Sequence, residues 1–159
     1  MTATRLELRE HLGLLSTILW NYGADFPVPT LDDYDSGEVG LSLSAALPGS
    51  TTPRPSVINL AEIWEPIRAD AFNRVEYAYD FIDFPFACRR AFHGHDPAHF
   101  AREHGVLIHE HCEEQLGSPD CGHYLGLPIN AFEAIRQFAS LWGQPGQLGC
   151  AGLRCMTQD

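Results

Sequence analysis

Residues 74–83 read RVEYAYDFID. Val75, Tyr77, Tyr79 and Phe81 alternate with Glu76, Ala78, Asp80 and Ile82. A period of two sends successive side chains to opposite faces of a strand, and aromatic and β-branched residues suit a pleated, half-buried surface. Pro85 then supplies a turn, and Phe86–His93 reads as a second strand, so the two predict an antiparallel hairpin. Val106–His111 makes a third strand. Upstream, Val39, Leu41, Leu43 and Ala45 are separated by Gly40, Ser42 and Ser44, the pattern of a strand with one buried face.

Helices are expected around this sheet. In residues 5–20, RLELREHLGLLSTILW, the leucines at 8, 12, 15 and 19 fall near helical spacing, although RLELRE alone also alternates like a strand. Residues 58–72, INLAEIWEPIRADAF, read as a helix broken or started at Pro66. Asp96 and Pro97 are good N-cap and first-turn residues for a short helix that Gly105 would end. Asn130, with Glu133 three residues on, resembles a capping box opening a last helix over Ala131–Trp142, with Phe132, Ile135, Phe138 and Trp142 inward. Residues 23–37, carrying Pro27, Pro29 and an acidic run, read as a loop. Residues 46–56, ALPGSTTPRPS, read as an internal linker loop, and 143–159 as a loop-like tail. The sum is a single α+β domain over 1–159: a small, mostly antiparallel sheet with helices packed on it.

Composition narrows the function classes. Hydrophobic residues make up 45% of the chain, enough for a core and too many for global disorder. The net charge of −11 repels phosphate backbones and anionic lipid heads, which argues against non-specific nucleic-acid binding and against a membrane surface. It suits a cation or a basic protein partner. All ten basic residues are arginine, a hint of a GC-rich bacterial genome. The apolar stretch Leu12–Trp20 is too short to span a bilayer and lacks a net-positive lead-in, so neither a membrane span nor a signal peptide is expected. Five cysteines, an odd number, suit free thiols in a reducing cytoplasm.

Chemistry concentrates in one window. Seven of the eight histidines lie between His93 and His123, together with Cys112 and Cys121. Imidazole and thiolate bind zinc, and imidazole also moves protons near neutral pH. His109, His111, Cys112, Cys121 and His123 form two ligand clusters joined by the turn-forming Gly117, Ser118 and Pro119, and they are the candidate zinc ligands. Bringing His111 and its neighbour Cys112 to one metal requires a bend in the strand. If the strand ending at His93 neighbours the one ending at His111, His93 or His95 would face His109 and His111. That cleft, with Asp96, Glu110, Glu113 and Glu114 nearby, would suit a hydrolytic metal or metal-free acid–base work. Arg89 and Arg90 are candidates to hold an anionic substrate group, or to pair with Asp80 or Asp83 across the hairpin. Cys88, beside Phe86 and Ala87, reads as a small core residue.

The pieces VEYAYDFID, RRAFHGHD and HEHCEE, within Arg74–Glu114, resemble small bacterial toxins of the TumE type from toxin–antitoxin systems. The resemblance implies a strand meander with tyrosine alternation and a toxin-like phosphodiesterase or nuclease. The leading expectation from the residues themselves is a cytoplasmic interaction module with a structural zinc. The others are a metal- or histidine-dependent hydrolase, with His93, His95, Arg89, Arg90 and Asp96 as its candidates, and a metal-free acidic interaction protein.

Overall fold

The computed structural model describes residues 1–48, 55–94, 108–113, 116, 121–124 and 128–142. Its elements in chain order are β1 (Thr2–Ala3), α1 (Arg5–Asn21), β2 (Asp25–Asp33), β3 (Val39–Ala46), β4 (Val57–Arg68), β5 (Ala71–Asp83), β6 (Cys88–Gly94), β7 (Ile108–Glu113), β8 (Cys121–Tyr124) and α2 (Ala131–Leu141). Strands β2 to β8 lie side by side in sequence order, every neighbouring pair antiparallel. Short β1 pairs with the start of β5. The fold is therefore α+β: one antiparallel meander with two helices packed on it.

Both helices cover the same face. Thr4 caps α1, accepting from the Glu7 amide while the Glu7 carboxylate accepts from the Thr4 amide, so two otherwise orphaned donors are satisfied. Leu12, Leu15 and Leu19 then pack with Leu41, Leu43, Ile58, Leu60, Tyr79 and Phe81, the inward rows of β3, β4 and β5. Asn130 caps α2 by accepting from the Glu133 amide. Phe138 of that helix stacks on Phe81 and Phe92, with ring centroids 5.7 and 5.5 Å apart. Ala131, Ala134, Ile135 and Leu141 complete its buried stripe, whereas Phe132, expected inward, is exposed and meets the His11 ring edge-on instead.

Two expectations fail for identifiable reasons. Residues 25–33 form a strand, not a loop. Within the described sheet β2 pairs only with β3, and an edge strand tolerates Pro27 and Pro29 because their missing N–H groups break no second ladder. Residues 57–68 form the long strand β4, not a helix. Ile58, Leu60, Glu62 and Trp64 alternate inward there, and the buried carboxylate of Glu62 disguises an otherwise regular period of two. The β3, β5 and β6 readings match, with β6 beginning at Cys88. The short helix expected after Asp96 and the tail 143–159 lie outside the described residues.

Candidate functional site

The pairing register sorts the positions of the histidine window. Across β5, β6, β7 and β8 one row runs Asp80, Ala91, His111, Gly122, and the next runs Ala78, His93, His109, Tyr124. These rows belong to the face away from the helices. The alternate rows, Tyr79, Phe92, Glu110, His123 and Phe81, Arg90, Cys112, Cys121, belong to the helix side. Pairing continues without a shift through Ala91↔His111 and Arg90↔Cys112. The bend that a metal shared by His111 and Cys112 would require is therefore absent, and the candidate ligands, Cys112, Cys121 and His123 with one of His109 or His111, hold positions on different faces. His109 and His111 hold positions on one, and Cys112, Cys121 and His123 on the other. Cys121 and His123 sit on a strand paired with β7, where a loop was expected.

On the open face four side chains meet. Arg89 grips Asp80 across the β5–β6 hairpin, its Nε donating to Oδ1 at 2.7 Å and Nη2 donating to the same oxygen. The second oxygen, Oδ2, lies 3.4 Å from His93 Nε2. The His93 ring in turn lies against His111, with centroids 4.6 Å apart and planes tilted by 54°. All four side chains are partly buried, so they retain access to solvent. Burial pushes the Asp80 carboxyl up, but the hydrogen bond from His93 and the charge of Arg89 outweigh it and hold it below the ordinary carboxylate value. Asp80 is thus an anion at neutral pH and can only accept. His93 Nε2 therefore donates in that contact.

Arg90, the other candidate anion clamp, is on the helix side and pairs with buried Glu110. Cys112 is buried there too, its Sγ 3.7 Å from Glu110 Oε1. Cys88 is a buried free thiol, pushed up to about 11 by burial and by Asp83 nearby, in keeping with a core role. His95, Asp96 and Glu114 lie outside the described residues. Among the described residues, no group of three or more His, Cys, Asp or Glu side chains is arranged to hold a metal ion. Nor, among them, is any helix long and apolar enough to cross a membrane.

A second polar cluster was not foreseen. Glu62 is buried under α1 and accepts from Trp64 Nε1 at 2.9 Å, from Arg74 Nη1 at 3.1 Å and from the Tyr79 hydroxyl. His11 Nε2, on α1, approaches it to 3.8 Å. Arg74 also donates to the Ile129 carbonyl at 3.0 Å and lies over the Tyr77 ring. Burial and the adjoining Glu62 carboxylate push the Tyr79 phenol well above its ordinary value, so it stays protonated and donates. The cluster fastens α1, β4, β5 and the approach to α2 to one another. Its only hint in the sequence is a glutamate at a core position of an alternating strand. It lies on the helix side, whereas Asp80 and His93 open to the other face.

Comparison with protein-family models, with curated proteins and with solved structures finds no match.

Proposed function

We propose that this protein is a histidine-dependent hydrolase of an anionic ester, with His93 and His111 as its acid–base pair. The observation that carries the reading is their ring contact on the open face, with Asp80 and Arg89 bracing His93. In a phosphodiester, the Nδ1 of His93 takes a proton from the attacking water as the new O–P bond forms. Asp80 stabilises the imidazolium that results, the role a carboxylate plays behind a catalytic base. His111, entering the cycle protonated, gives its proton to the leaving alkoxide oxygen as the second O–P bond breaks. Arg89 adds positive charge beside the phosphoryl oxygens. The resemblance of RRAFHGHD and HEHCEE to TumE-type toxins leans toward the same bond type.

The test is turnover of bis(p-nitrophenyl) phosphate by purified protein, with and without a chelator. His93→Ala and His111→Ala should each lower kcat by about 10²–10⁴, the usual contribution of a positioned acid or base, and chelation should change nothing. Turnover that disappears with the chelator and returns with added zinc would overturn the acid–base reading, as would full activity in both variants.

A second reading is favoured by one specific observation. Cys112 stands opposite Cys121 in the β7–β8 register, and Glu110 stands opposite His123. Two cysteines and a histidine on adjacent strands are a donor set that structural zinc accepts. On this reading the helix-side end of the hairpin is a metal staple, independent of the acid–base pair. Elemental analysis of untagged protein should find one zinc per chain, lost in Cys121→Ala; a metal-free preparation that is fully folded contradicts it.

A further inference from the structure

Cys112 and Cys121 stand directly opposite one another in the β7–β8 ladder, whose register runs unshifted from His109↔Tyr124 to Cys112↔Cys121. Opposite residues of an antiparallel pair have Cα atoms about 4.5 or 5.5 Å apart, according to whether they exchange hydrogen bonds. A disulfide spans about 4.4–6.8 Å between Cα atoms. Either kind of pair therefore puts the two cysteines within bridging range, with both positions on the helix side of the sheet.

The register also separates this pair from the other described cysteine. Arg90 is the β6 residue opposite Cys112, and Cys88 lies two residues before it. Cys88 is thus a diagonal neighbour of Cys112, at about 7–8 Å, beyond the bridging range. Its thiol is pushed up to about 11 by burial and Asp83, which leaves little of the nucleophilic thiolate. Cys112 is a free thiol, 3% exposed, and its S–H donates to Glu110 Oε1 at 3.7 Å. A buried thiol is badly placed to meet a dissolved reagent, but well placed to attack a sulfur on the neighbouring strand. Cys121 is on β8, the last strand of the described sheet.

We infer that Cys112 and Cys121 are a reversible redox pair, closing a cross-strand disulfide that staples the β7–β8 hairpin. The co-reactant is a small-molecule disulfide. The Cys121 thiolate attacks it, forming an S–S bond to one half while the other half leaves as a thiolate. Cys112 then attacks the Cys121 sulfur, the bond between the two cysteines forms, and the second half leaves. The chain loses two electrons and two protons, and the reagent becomes two thiols. The bridge closes the loop from 112 to 121 and so restricts the unfolded chain. His111 takes the opposite face, so the inference stands apart from the hydrolase reading. It claims the same sulfurs as the zinc staple, and the two exclude one another.

The experiment treats the whole untagged chain with oxidised glutathione, quenches with acid, alkylates the denatured product with N-ethylmaleimide and maps it by mass spectrometry. The expected product joins Cys112 to Cys121, two hydrogens lighter than the reduced peptides together, with Cys88 alkylated; dithiothreitol should reverse it. The oxidised chain should melt about 5–10 °C above the reduced one. Cys121→Ser should abolish that rise, and Cys112→Ser should stop at a glutathione adduct on Cys121. Both cysteines alkylated after oxidation, a lasting adduct on Cys121 in the wild type, or bridges to Cys88, Cys150 or Cys155 overturn the pairing. A Cys112–Cys121 bridge that lowers Tm overturns the staple. Zinc retained by the purified chain, keeping both thiols reduced, overturns the inference in favour of the metal.

Discussion

Glu62→Gln is the most informative single change to the scaffold. Glu62 is 1% exposed and gathers Arg74, Tyr79, Trp64 and His11 around one carboxylate. The amide keeps the shape but removes the charge, and its NH₂ must face groups that are themselves donors. Arg74, with 7% of its side chain exposed, is left as a buried cation leaning on the Ile129 carbonyl, the Tyr79 hydroxyl and the Tyr77 ring. Breaking a buried ion pair by removing one partner costs about 3–5 kcal/mol. At about 2–4 °C per kcal/mol for a chain of this size, Tm should fall by about 6–20 °C. Urea unfolding should give a lower midpoint with an unchanged m-value. A double-mutant cycle with Arg74→Met should show coupling above about 1 kcal/mol, as for residues in one network.

The pH dependence has a definite sign. Burial pushes the Glu62 carboxyl up, but the nearby His11, the hydrogen bond from Tyr79 and the charge of Arg74 outweigh it, so its folded value lies below its unfolded one. The stabilisation is therefore complete above the unfolded carboxylate value and is lost as pH falls through the folded value. Wild-type stability should fall on acidification, and Glu62→Gln should flatten that decline. A destabilisation below about 1 kcal/mol, or strictly additive effects of Glu62→Gln and Arg74→Met, would refute the network as the clamp between helix and sheet.

Other perturbations follow from single contacts. A Cβ at Gly94 would sit 2.2 Å from Cε1 of Tyr77, whose ring stacks on Tyr79; Gly94→Ala should cost about 1–3 kcal/mol as overpacking, and a neutral result in urea unfolding would mean Tyr77 moves aside freely. Asn130→Ala removes the α2 cap and should cost about 1 kcal/mol, with unchanged stability counting against the cap. Cys88, pushed up to about 11 and buried, should resist iodoacetamide at pH 8 in the native protein and react once unfolded; rapid native labelling mapped to Cys88 by mass spectrometry would contradict its burial.

The meander was legible where hydrophobic alternation was uninterrupted. The series Val39 to Ala45 and Val75 to Phe81 announced β3 and β5, and Asn130 with Glu133 announced α2. The reading failed where a local rule was overridden by position in the sheet. Pro27 and Pro29 look like loop residues until β2 is known to be an edge. Glu62 looks like a helix's polar face until Arg74 and Tyr79, twelve and seventeen residues away, are seen to neutralise it. The site was legible in part for the same reason. Pairing Asp80 with Arg89, and bringing His93 toward the 106–111 strand, needs only a hairpin and its neighbour. That His111 and Cys112 part follows from strand alternation, but which face each takes is set by a register that one residue of slippage would reverse, and the sequence does not fix that register. His11 stands apart from the histidine window, so nothing in sequence ties it to Glu62.

The most direct test of the acid–base pair is the pH profile of kcat/KM for bis(p-nitrophenyl) phosphate in wild type, His93→Ala and His111→Ala. The account predicts a bell for the wild type. Loss of the rising, acidic-side limb is expected without the base His93, and loss of the falling, basic-side limb without the acid His111. A profile of identical shape in all three proteins would contradict it.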